Sequence, residues 1–111
     1  MSKCSYNNPD LLPDRADLNT VAELFKCMGD PCRLAILTLL RTRELLVGEL
    51  ARQLNHSSSA ISHQLRILRG LRLVRARREG RNIWYALDDE HVAELLEMAF
   101  AHSGHGPGQR S

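Results

Sequence analysis

The chain has 111 residues, of which 43% are hydrophobic and 25% charged, and its formal net charge is +2 at pH 7. This length allows one domain with a modest apolar core, and so small a domain often gains stability by pairing with a second copy. No run approaches the roughly 18 apolar residues that span a bilayer, and the start, MSKCSYNNPD, lacks the apolar segment of a signal peptide, so we expect no membrane partner.

Two helices are predicted in the first part of the chain. Apolar residues recur at helical spacing from about Ala16 to Met28, which predicts the first helix. Asp30 is a good N-cap and Pro31 a good first helical residue, so a second helix begins there and fades near Arg43. The expected buried stripe of the first helix consists of Leu18, Val21, Ala22, Leu24 and Phe25.

Two short helices around a polar turn follow, an arrangement typical of a helix-turn-helix. The first covers Val47 to Leu54, Asn55 and His56 form the turn, and the second runs from about Ser58 to Leu71. The residues of this second helix expected to face the core are Ile61, Leu65 and Leu68.

A β-hairpin and a last helix complete the predicted domain. The segments 73–77 and 82–87 alternate as strands do, and the Glu79-Gly80 pair between them suits a turn. A final helix opens at Asp88 or Asp89. The order α-α-α-α-β-β-α predicts a mainly α fold with a β-hairpin wing, a winged helix-turn-helix.

The predicted domain covers residues 15–105. Residues 1–14 contain Asn-Asn-Pro and Leu-Pro-Asp without sustained periodicity, which indicates a flexible arm. Residues 106–111 are expected to form a flexible tail.

Charge is distributed unevenly along the chain. The segment from Ser57 to Arg81 holds seven Arg against one Glu, a local balance of +6. The segment from Asp88 to His105 holds five acidic residues and no Lys or Arg, a balance of −5 with His neutral. The first segment therefore suits a polyanion and the second suits cations.

The second helix of the predicted motif carries side chains that suit double-stranded DNA. Short hydroxyls at a helix N-terminus suit phosphate oxygens, while Ser, His and Gln one or two turns later reach base edges in a major groove. Capping serines and a solvated arginine face would each explain one feature alone, but the motif, the charge and the hairpin together favour operator DNA. One such helix reads few base pairs, so a homodimer on a two-fold site is expected. The expected contacts are Ser57, Ser58, Ser59, Ser62, His63, Gln64, Arg66, Arg77, Arg78 and Arg81.

The final helix carries candidate metal ligands at both ends. Asp89 and His91 lie at its start, and His102 and His105 lie at its end. His91 and His102 fall on one face but lie roughly 16 Å apart along the axis, so one chain cannot bring them to one ion. Two antiparallel copies would collect one carboxylate and three imidazoles at each meeting point, which suits tetrahedral Zn²⁺. The apolar residues expected to form that seam are Val92, Leu95, Leu96, Ala99 and Phe100.

The same four polar residues also suit the ends of a helix without any metal. Asp is favoured near a helix N-terminus and His near a C-terminus, because both charges complement the helix dipole. The residues alone leave both interpretations open.

The chain resembles the ArsR/SmtB family of winged-helix metal-responsive repressors from roughly Asp17 to His105. The resemblance lies in FKCMGDPCRLAIL, in VGELARQLNHSSSAISHQLRILRGLRLVRARREGRNIWYAL and in the final helix. The spacing of the Asp89-x-His91 and His102-x-x-His105 pairs resembles zinc sensors of the CzrA/SmtB type, whose sites bridge the last helices of a homodimer. The resemblance implies that the metal-free dimer binds operator DNA and is released by Zn(II), with Co(II) able to occupy the same site.

The resemblance also implies a link between metal and DNA. A ligand histidine, here His102, coordinates through Nδ1, and its other nitrogen donates to a backbone carbonyl at the end of the recognition helix, here that of Arg72. Relatives with a second, cysteine-rich site carry Cys where this chain has residues 44–49 without one, so that site is not expected. The arm also lacks the extra His of six-coordinate sensors, which favours a tetrahedral site.

The cysteines support a second hypothesis. A thiol-based metalloid, soft-metal or redox sensor would bring together Cys4, Cys27 and Cys32. However, a Cys among helical apolar neighbours is usually a small core residue, and three cysteines do not suggest a disulfide framework, so we expect free thiols in a reducing cytoplasm. A constitutive DNA-binding module is a further alternative. An enzyme is not expected, because four protein ligands leave no metal position for a substrate water.

Overall fold

A computed structural model of the chain describes residues 11–104. The predicted winged helix-turn-helix, mainly helical with a β-hairpin wing, is confirmed. Cys4, His105 and the tail 106–111 lie outside the described residues, as does most of the predicted arm. The elements are α1 (Arg15–Met28), α2 (Pro31–Leu40), β1 (Leu45–Leu46), α3 (Val47–Leu54), α4 (Ser58–Gly70), β2 (Val74–Glu79), β3 (Asn82–Leu87) and α5 (Glu90–Ser103).

Local capping explains where the central helices begin and end. The Asp30 carboxylate accepts from the backbone N–H of Arg33 at 3.0 Å, which caps α2. The Ser57 hydroxyl accepts from the backbone N–H of Ala60 at 3.1 Å and caps α4 in the same way. Asn55 ends α3 in the left-handed region, with φ 56°, a conformation that Asn tolerates better than most residues. The turn between the two helices therefore follows directly from the sequence.

The sheet has three antiparallel strands in the order β1-β3-β2. Its hairpin turns at Gly80, whose φ of 64° favours glycine, and β2 extends two residues beyond the predicted end at Arg77. The two-residue strand β1 pairs with Trp84 and Tyr85 of β3 and was not predicted. Two residues are too few to show an alternating pattern.

The core lies between the helices and the inner face of the sheet. As predicted, Ile61, Leu65 and Leu68 anchor α4 in it. No helix in residues 11–104 is long and apolar enough to cross a membrane. The largest fully buried side chains are Ile36, Leu37, Leu45, Leu50, Ile61, Leu65, Leu68, Leu73 and Leu96.

Two expectations about apolar faces were wrong within the single chain. The predicted buried stripe of α1 is largely exposed, with Val21 50% and Phe25 55% accessible. Val92 and Leu96, expected at a seam between copies, are instead 7% and 1% exposed in the chain's own core. Helical spacing shows which residues share a face, but it does not show what covers that face.

The anchoring of α4 leads to a stability prediction. Leu65→Ala should lower the free energy of unfolding by about 2–5 kcal/mol, because Leu65 is 1% exposed and its removal leaves a cavity. The neighbouring His63→Ala change, on the exposed side of the same helix, should cost no more than about 0.5 kcal/mol. Urea unfolding at one fixed protein concentration measures both, and equal losses would contradict the anchoring role.

Candidate functional site

The first turns of α4 present a polar, exposed surface. Ser58, Ser59, Ser62 and His63 are exposed, while the opposite face of the helix is buried. Ser57 is also exposed, and because its oxygen accepts the capping hydrogen bond, its hydroxyl proton remains a donor. This end of α4 therefore offers short donors beside free backbone N–H groups, which suits phosphate oxygens and base edges.

Gln64 differs from the other expected DNA contacts because its side chain is held by α2. The Arg33 guanidinium donates to Gln64 Oε1 at 3.2 Å and to the backbone carbonyl of Cys27 at 2.9 Å. A guanidinium only donates, so the Gln64 oxygen is committed to this contact and its amide N–H groups remain for other partners. Sequence reasoning missed Arg33, since nothing local indicates a partner 31 positions away.

The arginines of the wing fall into two groups. Arg77 forms ion pairs with Glu44 at 2.7 Å and with Glu79 at 3.2 Å. The Arg77 guanidinium lowers the pKa of the Glu44 carboxyl, and Glu44 in turn raises the pKa of Arg77. Arg78 and Arg81 are exposed and form no ion pair with another residue of the 11–104 segment. These two cations are free to meet a polyanion, whereas Arg77 is locally neutralised.

Asp89 and His91 meet at the start of α5. Asp89 Oδ1 accepts from the backbone N–H of Val92 at 3.2 Å and caps the helix. Asp89 Oδ2 lies 3.5 Å from His91 Nδ1, and the two side chains are 49% and 89% exposed. One carboxylate oxygen and one imidazole nitrogen therefore lie side by side and face solvent.

His102 lies in the last turn of α5 and is exposed. The helix separates it from His91 by about 16 Å along the axis, at 1.5 Å per residue. No group of three or more His, Cys, Asp or Glu that could hold a metal ion occurs among the residues described. One chain therefore brings Asp89 and His91 together and leaves His102 apart from them.

Arg72 lies two residues after the end of α4, the recognition helix of the motif, and its backbone adopts the left-handed region with φ 58°. Its backbone N–H donates to the Arg69 carbonyl at 3.0 Å. Within residues 11–104, His102 and Arg72 form no hydrogen bond with each other.

The two described cysteines are free thiols in different surroundings. Cys27 is 5% exposed and part of the core, and burial raises the pKa of its thiol, an effect that Arg33 partly opposes. Cys32 is half-buried and packs against the same core. The place of Cys27 in the apolar core agrees with a core role for this residue.

The fold and this surface define the class of protein. A helix-turn-helix followed by a wing, with an exposed polar helix start and free arginines at the wing tip, is a winged-helix DNA-binding module.

Comparison with known proteins makes the assignment specific. Residues 30–76 match the arsR family of bacterial regulatory proteins. The chain is 46% identical to the transcriptional regulator NmtR of Mycobacterium tuberculosis over 99 residues, 89% of this chain and 82% of NmtR. The solution structure of apo-NmtR aligns with a TM-score of 0.73 and 42% identity over 99% of this chain and 92% of that one.

Two further relatives agree. The chain is 48% identical over 82 residues, 74% of its length, to the transcriptional repressor SmtB homolog of Synechocystis, of which it spans 62%. The homodimeric winged helix-turn-helix DNA-binding domain of Mb0332 from Mycobacterium bovis aligns with a TM-score of 0.74 and 30% identity, covering 93% of this chain and 90% of that one. The chain belongs to the ArsR/SmtB family: it is a metal-responsive transcriptional regulator and not an enzyme.

Two substitutions at Asp89 test its role as the N-cap of α5. Asp89→Ala should lower the free energy of unfolding by about 1 kcal/mol, because the Val92 N–H loses its acceptor. Asp89→Asn keeps an amide oxygen for the cap and should stay within a few tenths of a kcal/mol of the parent. Thermal unfolding in a chelating buffer measures both, and an equal loss in the two variants would contradict the cap.

Proposed function

We propose that the protein is a zinc-responsive repressor whose metal-free homodimer binds operator DNA in the cytoplasm and is released when Zn(II) binds between the last helices. The observation that carries this proposal is the separation of the ligands along α5. Asp89 and His91 are paired at one end, and His102 lies at the other. Co(II) would occupy the same four-coordinate site.

The exposed apolar residues of α1 and α5 support a homodimer. Val21 and Phe25 lie one turn apart on α1 and are half exposed, and Met98 on α5 is 69% exposed. Large apolar side chains left exposed together on one helix face, as Val21 and Phe25 are, suit an interface. A second copy covering these faces would bury them, while Val92 and Leu96 stay in each protomer's own core.

A two-fold pairing of α5 completes the coordination. Each site would take Asp89 and His91 from one protomer and His102 and His105 from the other, which gives two sites per dimer. Asp89 Oδ1 is used by the helix cap, so Oδ2, the oxygen that already faces His91, is the oxygen available to the ion. One carboxylate oxygen and three imidazole nitrogens suit tetrahedral zinc.

Release from DNA would follow from a hydrogen bond that the metal orients. Zinc on Nδ1 of His102 leaves the other ring nitrogen as a donor, and the Arg72 carbonyl at the end of the recognition helix is the proposed acceptor. Because Arg72 lies two residues after the end of α4, a hydrogen bond to its carbonyl would connect the metal ligand directly to the recognition helix. Coupling of about 1–3 kcal/mol would lower operator affinity about 5- to 150-fold.

DNA contacts would come from both parts of the winged motif. The serines at the start of α4, with Ser62 and His63, would enter the major groove, and Arg78 and Arg81 would meet the backbone beside it. The proposed contacts also include Gln64, through its amide N–H groups, and Arg66, whereas Arg77 is engaged by Glu44 and Glu79.

The dimer face can be tested by a charge on α1. Phe25→Glu should produce a monomer, because a carboxylate would otherwise have to be buried in the apolar interface. Operator affinity should fall because the dimer is lost. Asn19→Glu adds the same charge about 120° around the same helix and should leave the dimer intact. Sedimentation velocity measures the mass, and a Phe25→Glu variant that remains dimeric would exclude this face.

Metal-driven release gives the second test. The parent should bind about one Zn(II) per protomer and lose operator affinity, whereas His102→Gln should keep operator affinity and lose the zinc response, because the orienting ligand is absent. Fluorescence anisotropy of labelled operator, titrated with zinc, measures both. Release of the His102→Gln variant at the parent's zinc concentration would refute the link.

A cysteine variant separates this proposal from the thiol hypothesis. A chain with Cys27→Ala and Cys32→Ser should respond to zinc as the parent does, and Co(II) absorption should show tetrahedral nitrogen and oxygen coordination without thiolate bands. Loss of the response in this folded variant, with retention in His102→Gln, would favour a thiol sensor. DNA affinity that ignores metal in all variants would indicate a constitutive module.

A further inference from the structure

An open groove of about 470 Å³ lies between the recognition helix α4 and the wing strand β3. Ser62, Arg66 and Arg69 lie at helical spacing along one side of α4, and Tyr85 of β3 forms the opposite wall. Gly70 also lines the groove, and a Cβ placed on it would meet no atom within 4 Å. The groove therefore joins the two parts of the DNA-binding motif.

The chemistry of this groove suits one anion. Two arginines and two hydroxyl-bearing residues line it, and no acidic residue is found among its described lining. Arg66 and Arg69 form no ion pair within residues 11–104, in contrast to Arg77, which Glu44 and Glu79 neutralise. Arginine pairs and hydroxyl donors are the usual ligands of phosphate oxygens.

The position of the groove identifies the source of that phosphate. The start of α4 suits a major groove, and the wing tip at Gly80 lies between Arg78 and Arg81, which are unpaired in the described chain and suit the adjoining phosphates of the same duplex. A sugar-phosphate strand separates two neighbouring grooves of DNA. If α4 and the wing bind on either side of one strand, that strand would pass over the groove lined by Ser62, Arg66, Arg69 and Tyr85.

We infer that this groove is a clamp for one phosphate of the DNA backbone in each protomer, with Arg66 and Arg69 as its cations and Ser62 and Tyr85 as neutral donors. The inference rests on the DNA-binding part of the proposed function and not on the zinc site. The clamp holds helix and wing in register on the duplex and does not read sequence, because phosphates are the same in every sequence.

Arg69→Met tests the clamp in the metal-free protein. Each lost phosphate contact makes the slope of log K against log salt less steep by about 0.9. The dimer has one such contact in each protomer, so its slope should become less steep by about 1.8. Affinity should fall by a similar factor, roughly ten- to a hundredfold, on operator and on an unrelated duplex, because a phosphate contact carries no sequence information. Anisotropy titrations at several KCl concentrations measure the slope and the two affinities.

A control variant and a second test variant complete the experiment. Lys26→Met removes one charge from α1, outside the groove, and should change the slope by less than about half a unit. Tyr85→Phe keeps the packing of the ring and removes only its hydroxyl, and it should weaken both duplexes about fivefold or more. Circular dichroism checks that each variant is folded.

Two outcomes would overturn the clamp, and a titration with inorganic phosphate interprets the first of them. An unchanged slope in Arg69→Met would show that no phosphate is bound there, and a loss confined to the operator would make Arg69 a base-reading residue. If about 10 mM inorganic phosphate stabilises the parent but not Arg69→Met while the DNA salt slope is unchanged, the groove binds a small free anion instead. The zinc response is measured separately on the same variants, so failure of the clamp and failure of the zinc proposal remain distinguishable.

Discussion

The length of α5 is the constraint on which the proposed regulation depends. An α-helix rises about 1.5 Å per residue and does not bend enough to bring its ends together. Asp89 and His91 at one end therefore cannot share an ion with His102 at the other within one chain. Because Val92 and Leu96 of the same helix are buried in the core, an ion held between two copies of α5 would act on the position of each whole domain.

A second physical theme is how the protein distributes its positive charge. Arg41, Arg43 and Arg77 have carboxylate partners, so the protein itself neutralises them. The arginines of α4 and of the wing tip lack such partners in the described chain, and the segment that carries them is also the one with the excess of Arg. The paired arginines are neutralised within the protein, and the unpaired ones are left for the polyanion.

Arg33 links the end of α1 to the recognition helix α4. It donates to the last turn of α1 through the Cys27 carbonyl and to the recognition helix through Gln64. The exposed apolar face of α1, with Val21 and Phe25, is the proposed contact between copies. Arg33 therefore joins the end of α1 to α4 through one partly buried guanidinium. Gln64 lies at the edge of the buried face of α4, beside Ile61 and Leu68, and Arg33 gives its side-chain oxygen a partner there.

The sequence by itself determined the helix-turn-helix, the wing and the pair at Asp89 and His91, because caps, turns and apolar periodicity act over a few residues. Tertiary structure alone decided which apolar faces are covered, since Leu96 and Phe25 look alike in a helical pattern and differ in what packs on them. It also decided the Arg33–Gln64 and Arg77–Glu44 contacts, whose partners lie 31 and 33 positions apart. Side chains so distant along the chain meet only after the helices and the wing have packed, and no local pattern carries that information.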